Sequence, residues 1–156
     1  MTEPGKRWLT TDELSAWRGF MRLAQRLPAS LETQLQRDAS LSFLEYYVLA
    51  HLSEQPGRRA RMSDLAGLAN TELSRLSHLI SRLEKRGFAR RETDPDNGRY
   101  TQAILTDAGF AHLESVAPGH VERVRDLFAD ALTVAELRTL RRIADKVLAR
   151  VDAPAE

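Results

Sequence analysis

The sequence predicts a mainly α-helical fold with a small two- to three-stranded β-sheet. Three helix starts are marked because Ser or Thr is followed three residues later by Glu, at Thr10–Glu13, Ser42–Glu45 and Thr133–Glu136. In such a capping box the two side chains satisfy amide donors that the start of a helix leaves unpaired. Apolar residues recur at helical spacing after each box. One hairpin signal, Asn97-Gly98, lies between two short strand candidates, so the predicted sheet is small.

The first helix is expected to begin at about Thr11 and to carry apolar residues at helical spacing. Pro28 lies further along, and a proline lacks an amide donor and clashes with the preceding turn. The sequence therefore predicts a break or a kink there, followed by a second helical segment. A further helix is expected over residues 42–53, and the Gln-Pro-Gly stretch at 55–57 should end it.

A short helix, a turn and a longer helix are expected between residues 61 and 86. Ser63 is the candidate N-cap of the short helix, Asn-Thr-Glu at 70–72 is the turn, and Gly87 is the candidate C-cap of the longer helix. The apolar residues at helical spacing are expected to be buried. They are Leu65, Ala66 and Leu68 on the short helix and Leu73, Leu76, Leu79, Ile80 and Leu83 on the longer one.

A β-hairpin is expected directly after the longer helix. Its strands are residues 88–93 and 99–105, and Asn97-Gly98 supplies the positive φ angles that a tight hairpin requires. Helix, turn, helix and hairpin in this order are typical of a winged helix-turn-helix. In that unit one helix enters a DNA groove and the β-ribbon flanks it.

Two helices are expected to close the chain. The first runs over about 107–131 with Thr106 as its candidate N-cap, and Pro118-Gly119 could interrupt it. The second runs over about 133–151 and carries an apolar stripe, which packs within the subunit or across a dimer.

Composition limits the class of protein. The 156 residues, 42% apolar and 29% charged, are expected to form one soluble domain. The sequence has no Cys, which excludes disulfides, thiolate metal sites and thiol-based redox sensing. No apolar run approaches the roughly 20 residues that cross a bilayer, and the N-terminus has no apolar signal segment. The expected location is the cytoplasm, and no membrane partner is expected.

Charge is unevenly distributed along the chain. The formal net charge is +1, but residues 58–99 contain ten Arg or Lys and six Asp or Glu, whereas the rest contains thirteen and sixteen. A basic middle between acidic ends is typical of a segment that binds the phosphate backbone of DNA. A solvated surface can show the same pattern, so the argument for DNA depends on the motif.

The outward face of the longer helix provides candidate DNA-binding residues. The N-terminal part of a recognition helix reaches base edges, and an Arg there can make a bidentate contact to guanine. Arg75 and His78 are expected to read bases, with Ser74 and Ser77 in support. Arg82, which lies further along, is expected to anchor a phosphate. An ordinary solvated helix would look similar, and it is the hairpin that favours DNA.

The hairpin adds two candidates. Arg99 lies just beyond the turn, where the tip of a wing can place a guanidinium in the minor groove. Arg91 on the first strand is expected to contact phosphate. The helix and the hairpin together predict double-stranded DNA as the partner.

The sequence resembles the MarR family of bacterial transcription regulators over nearly its whole length. The last two of the following four segments, in their order, are fairly specific to that family. The segments are LSFLEYYVLAHLSE at 41–54, MSDLA at 62–66, SRLEKRGFARR at 81–91 and DPDNGRYTQAILTDAG at 94–109.

The resemblance implies a homodimer in which each chain is one continuous domain with two functional regions. Residues 1–40 and 107–156 would form the helical dimerisation region, and residues 41–106 the DNA-binding region. A site for a small ligand would lie between the two regions. The resemblance also implies a bacterial protein associated with the nucleoid.

The chain differs from the family pattern in the wing. The family usually carries an Asp two residues before the wing Arg, whereas Asn97 stands two residues before Arg99 here. Asp94 and Asp96 are close enough to substitute as the carboxylate that stiffens the wing. At the start of the recognition helix Glu72 replaces the common Ser, and the helix dipole favours a carboxylate there.

A small aromatic or anionic effector is the expected ligand. Trp17, Phe20, Tyr47 and His51 could line its pocket, although packing in the core is the simpler role for such residues. No cofactor is expected. No metal site is expected either, because the four His residues include no pair spaced four apart and there is no Cys.

The sequence predicts no enzyme, because it lacks a nucleophile elbow, a phosphate-binding Gly loop and a Cys nucleophile. The alternative to a regulator is a winged-helix scaffold that binds proteins and responds to no effector. We expect a ligand-responsive repressor that acts as a homodimer on a pseudo-palindromic operator. Such a dimer places two recognition helices in successive major grooves.

Overall fold

The computed structural model describes residues 6–154, and over that range the chain forms six α-helices and a three-stranded antiparallel sheet. This confirms the mainly α-helical fold with a small sheet. The helices are α1 (Thr11–Ala39), α2 (Phe43–Glu54), α3 (Met62–Leu68), α4 (Leu73–Lys85), α5 (Asp107–Val124) and α6 (Val134–Val151). The strands are β1 (Arg59–Arg61), β2 (Ala89–Thr93) and β3 (Thr101–Leu105), in the order β1-β3-β2. No helix in residues 6–154 combines the length and the hydropathy needed to cross a membrane.

All three predicted capping boxes are present. Thr10, Ser42 and Thr133 are the N-caps of α1, α2 and α6, and each exchanges hydrogen bonds with the Glu three residues later. At α2, the amide of Glu45 donates to Ser42 Oγ at 3.0 Å and the amide of Ser42 donates to Glu45 Oε2 at 2.9 Å. The prediction of Ser63 as an N-cap is wrong, because α3 begins at Met62 and its N-cap residue is Arg61, two residues before Ser63.

The predicted break at Pro28 is wrong, because α1 is one helix of 29 residues with Pro28 inside it. A proline removes one hydrogen bond from the ladder. Beyond it, Leu31 and Leu35 are buried, and their burial holds the C-terminal part of α1 in helical conformation. Pro118 likewise lies inside α5, which is followed by a short π-helical turn at Arg125–Ala129.

Contacts divide the chain into two compact units, Met1–Val116 and Ala117–Glu156. The core of the first unit is formed by apolar side chains of α1, α2, α3, α4, the sheet and the first turns of α5. Its largest fully buried members are Leu35, Leu41, Val48, Leu49, Leu52, Leu65, Leu76, Leu79, Ile80 and Leu83. In the second unit, none of the residues of α6 is buried.

Two leucines predicted for the core are exposed. Leu68 at the end of α3 is 42% exposed, and Leu73 at the start of α4 is 53% exposed. Both lie beside the turn between the two helices. Helical spacing gives the side of the helix on which a residue lies, but no neighbouring element covers that side at these two ends.

The end of α4 is closed as predicted, with Gly87 at a φ of 76°. The amide of Phe88 donates to the carbonyl of Leu83 at 2.9 Å, which is the Schellman arrangement. Thr106 confirms its predicted capping role, because its Oγ1 accepts from the amide of Gly109 at 3.0 Å. A Cβ atom on Gly109 would lie 2.1 Å from the carbonyl oxygen of Phe88, so the start of α5 packs directly on the segment after α4.

The turn of the wing differs from the predicted tight hairpin. Residues 94–100 connect β2 to β3, and neither Asn97 nor Gly98 has a positive φ. The Asp94 amide donates to the Tyr100 carbonyl at 2.8 Å, and the Tyr100 amide donates to the Asn97 carbonyl at 3.0 Å. A connection of seven residues turns without the left-handed conformations that a two-residue loop needs.

Candidate nucleic-acid interface

Helix α4 has one buried face and one exposed face. Leu76, Leu79, Ile80 and Leu83 are buried in the core. On the opposite side Ser74, Arg75, His78 and Lys85 are exposed. Arg75 and His78 were predicted to read bases and Ser74 to support them, and all three share the N-terminal half of the exposed face. Glu72 is the N-cap residue, as expected.

One flank of α4 is fixed by Arg91 from β2. Its guanidinium donates to Ser77 Oγ at 2.9 Å, to Ser81 Oγ at 2.7 Å and to Glu84 Oε2 at 2.7 Å. The amide of Arg91 also donates to Glu84 Oε1 at 2.9 Å. Two residues predicted to contact DNA, Ser77 and Arg91, are therefore bonded to each other. Ser81 and Glu84 were not predicted to take part, although their spacing of four and seven residues from Ser77 places all three on one flank.

The other flank of α4 is fixed by α2. Nε of Arg82 donates to Oε1 of Glu45 at 3.0 Å, and the side chains are 58% and 10% exposed. Glu45 is the capping-box residue of α2, so one carboxylate bonds both the start of α2 and a side chain of α4. Arg82 is therefore held in place and still faces solvent.

The structure brings four of the predicted residues to one groove. The groove has a volume of about 480 Å³ and runs between α4 and the start of α2. Helix α4 contributes its cationic side chains, and the start of α2 contributes a hydroxyl and a leucine. The lining residues are Glu32, Ser42, Leu44, Ser74, Arg75, His78, Leu79 and Arg82.

An ion pair that was not predicted from the sequence lies at the base of the wing. Nε of Arg61 donates to Oδ2 of Asp94 at 2.7 Å, and the Arg61 guanidinium carbon lies 4.4 Å from the centroid of the Tyr100 ring. The Asp96 amide and the Arg61 guanidinium hold the pKa of the buried Asp94 carboxyl below its ordinary value of 3.8. The sequence contained one signal for this pair, because an Asp at the first position of a turn often bonds to nearby groups. That signal did not identify Arg61, which lies on another strand.

Arg99 lies on the exposed wing, as predicted. Its amide donates to Oδ1 of Asn97 at 3.1 Å, so Asn97 orders the backbone next to Arg99. Asp94, which could have replaced the missing family carboxylate beside Arg99, pairs with Arg61 instead. The ion pair between Arg61 and Asp94 therefore holds this wing at its base.

The four predicted pocket residues occur in two groups. Trp17 and Phe20 are adjacent on α1, with ring centroids 6.4 Å apart, and both are exposed. Tyr47 on α2 stacks with Phe43 at 6.5 Å, and His51 lies one turn further along α2. A cleft of about 670 Å³ between α1 and α2 is lined by other residues, namely Pro28, Ala29, Glu32, Thr33, Gln36, Phe43 and Leu44. Within residues 6–154 no group of three or more His, Asp or Glu is arranged to hold a metal ion.

Comparison with known proteins gives a consistent result. Residues 41–101 match the model of the MarR family. One similar structure is that of Sco3205, a MarR family transcriptional regulator of Streptomyces coelicolor, in complex with DNA. Its sequence is 42% identical to this chain, and the two structures superpose with a TM-score of 0.89. The match covers 98% of this chain and 95% of that chain. AbsC, a MarR family transcriptional regulator of the same organism, is 38% identical to this chain with a TM-score of 0.88. That match covers 94% of this chain and 98% of AbsC. The uncharacterized HTH-type transcriptional regulator YwaE of Bacillus subtilis is 26% identical over 89% of this chain and 82% of its own length.

Proposed function

The chain belongs to the MarR family of transcriptional regulators, and from this premise we propose that it is a homodimeric repressor that binds a pseudo-palindromic DNA operator. Its family consists of regulators and not of enzymes. The crystallisation of a 42% identical relative with DNA supports the choice of partner.

The observation that carries the proposal is the exposed N-terminal half of α4. Ser74, Arg75 and His78 are directed away from a helix whose two flanks are held by Arg91 and by Glu45. A helix that is fixed on both sides and exposed between them can enter a major groove without losing its own packing. Preorganisation of this kind reduces the entropy cost of binding.

Each proposed contact follows from the chemistry of the side chain. Arg75 makes a bidentate contact to a guanine, His78 reads a neighbouring base, and Ser74 supports both. Arg82, held by its Nε, offers the rest of its guanidinium to a phosphate. Arg99 enters the minor groove.

Ser77 and Arg91 act on DNA in another way in this proposal. Because Arg91 already bonds Ser77, Ser81 and Glu84, it fixes the rotation of α4 about its axis. Ser77 then contributes to DNA binding because its bond to Arg91 helps to orient α4. Its position on the flank of α4 still allows it to contact DNA at the edge of the major groove.

The homodimer accounts for apolar surface in both units. On α1, Trp17 and Phe20 are 53% and 58% exposed, and on α6 Val147 and Leu148 are 52% and 51% exposed. Large exposed apolar patches mark sites of interaction with other proteins. A dimer that covers them would present two copies of α4 about 34–36 Å apart, the spacing of successive major grooves.

Repression follows if the bound dimer blocks RNA polymerase. A small aromatic or anionic effector relieves the repression, and it binds near Trp17, Phe20, Tyr47 and His51. It does so because it binds more tightly to a dimer in which the distance between the two recognition helices does not match the half-sites of the operator. An effector with equal affinity for both states would shift nothing.

A selection experiment tests the proposal. The protein is incubated with a library of random duplexes, and the recovered sequences are assayed over a range of salt concentrations. We expect an inverted repeat, binding as a dimer, and a linear fall of log affinity with log salt, since each phosphate contact releases counterions. A winged-helix scaffold would recover no common sequence.

A reporter placed behind the recovered site distinguishes repression from activation. Higher expression in a strain without the protein supports repression, and lower expression refutes it.

A further inference from the structure

A cluster of polar contacts joins the end of α4 to the end of α1. Nη1 of Arg86 donates to the carbonyl of Ser40 at 2.7 Å, and Nη2 donates to the carbonyl of Ala39 at 3.1 Å. The Arg86 guanidinium carbon also lies 4.7 Å from the centroid of the Phe88 ring. Arg86 is thus held by two carbonyls and one ring, although it lies at the protein surface.

Helix α5 contributes a second partner to the same carbonyl. Nε2 of His112 lies 3.3 Å from the oxygen of Ala39, and the His112 ring stacks on Phe88 with centroids 4.5 Å apart. We call Ala39, Ser40, Arg86, Phe88 and His112 the α1–α4 junction. Three helices that are far apart in sequence meet there.

The chemistry of the junction suits a cation. The last residues of a helix leave carbonyl groups without partners, and the helix dipole makes that end negative. A planar guanidinium can satisfy two such carbonyls at once, which a lysine ammonium cannot match in geometry. The charge of Arg86 is therefore directed at the end of α1.

The backbone on both sides of the junction has little freedom. Ser40 has a left-handed φ of 52°, and its amide donates to the carbonyl of Gln36 at 3.1 Å. On the other side, Gly109 packs so closely on Phe88 that a Cβ atom would not fit. Movement of the end of α1 must therefore be accompanied by movement of the end of α4 or by loss of the Arg86 bonds.

We propose that Arg86 is a positioning residue that couples the recognition helix to α1 and thereby sets the distance between the two recognition helices of the dimer. This inference rests on the proposed dimeric DNA-binding function. Helix α1 carries the exposed Trp17 and Phe20, so the partner subunit would fix its position. Through its bonds to the end of α1, Arg86 couples the position of α1 to that of the C-terminal end of α4. This end is opposite the end that reads bases.

The first test measures the preference for half-site spacing. The duplex that the wild-type protein selects from a random library is remade with one base pair inserted or removed at its centre, which turns one half-site by about a tenth of a turn. We expect the wild-type protein to bind the altered duplexes roughly tenfold more weakly, within the usual range of coupling between sites. Arg86→Gln should bind all of them with similar affinity.

Two variants control for charge and for folding. Arg90→Gln removes one positive charge from an exposed residue of β2 that pairs with Glu92, and it should keep the wild-type spacing preference. Arg86→Lys keeps the charge without the fork, and it should show an intermediate preference; it also carries the test if Arg86→Gln does not fold. A wild-type preference in both Arg86 variants, or an equal loss in Arg90→Gln, overturns the inference. Absence of selective binding by the wild-type protein would instead refute the proposed function.

The second test needs no DNA. Because the sequence contains no Cys, Lys85→Cys provides a single site on α4 for a spin label in each subunit. Pulsed dipolar spectroscopy should give a narrow distance distribution in this background and a broader or shifted one after Arg86→Gln, but not after Arg90→Gln. An unchanged distribution in the Arg86→Gln variant overturns the inference, and a monomeric sample refutes the dimer.

Discussion

Nε of Arg61 lies 2.7 Å from Oδ2 of Asp94, and this pair ties the end of strand β1 to the first residue of the wing turn. The two residues are 33 positions apart in the sequence. Asp94 is buried, and the Tyr100 ring lies against the Arg61 guanidinium. The pair therefore holds the wing at its base.

Acidification should loosen the wing through Asp94. The pKa of its carboxyl lies below the ordinary 3.8, so the folded state favours the ionised form. The stabilisation is present above that ordinary pKa and is lost as the pH falls through the lower folded pKa. Backbone ¹⁵N relaxation of residues 94–100 should show a wing that becomes more mobile as the pH is lowered past 3.8.

Asp94→Asn should show the more mobile wing already at neutral pH, and Asp96→Asn, at an exposed neighbour, should behave as the wild type. A wing that keeps its order in Asp94→Asn would contradict this role of the ion pair.

Arg75→Ala should weaken binding to the selected operator by about 1–3 kcal/mol and relax specificity at one base position. The reason is that one bidentate contact to a guanine is lost while the rest of α4 remains packed. Affinities for a panel of single-base operator variants measure this. Arg82→Ala is the comparison, because a phosphate contact is lost equally on every sequence. A uniform loss for Arg75→Ala would make it a phosphate contact as well.

Arg99→Ala should weaken binding most for operators with A·T-rich flanks. A·T tracts narrow the minor groove and strengthen its negative potential, which attracts an inserted Arg. Titration against operators that differ only in their flanks measures the effect. An equal loss on G·C-rich flanks would place Arg99 outside the minor groove.

Gly109→Ala should destabilise the protein by about 1–3 kcal/mol or more, because overpacking forces backbone shifts. The added Cβ would meet the Phe88 carbonyl oxygen at 2.1 Å. Gly67→Ala is a matched control inside α3, where a Cβ meets no atom within 4 Å. That change should stabilise by roughly 0.5–1 kcal/mol through helix propensity. Urea unfolding gives both values, and an equal effect of the two changes would refute the packing argument.

Deletion of residues 132–156 should abolish dimerisation, because it removes α6 and its exposed apolar side chains. Sedimentation equilibrium of the truncated chain measures the association state. Substitution of Arg138 by Gln, an exposed polar change on α6, should leave the dimer intact. A truncated protein that still sediments as a dimer would show that α1 alone can pair the subunits.

Local signals determined much of the fold. The three capping boxes, the Gly87 C-cap and the Thr106 cap were predicted correctly because each involves atoms within five residues of one another along the chain. The helical spacing of apolar residues likewise identified the buried face of α4. Its opposite face, with Ser74, Arg75 and His78, followed from the same periodicity.

Only the tertiary structure decided which neighbours complete these elements. It kept Pro28 within one helix because Leu31 and Leu35 beyond it are buried, and it left Leu73 uncovered at a helix end. It also paired Asp94 with Arg61 and Arg86 with the end of α1, across separations of 33 and 46 residues. The sequence by itself determined the elements and the chemistry on their faces, because propensity and capping act over a few residues. The partners of charged side chains depend on which elements the core brings together, and a local pattern does not contain that information.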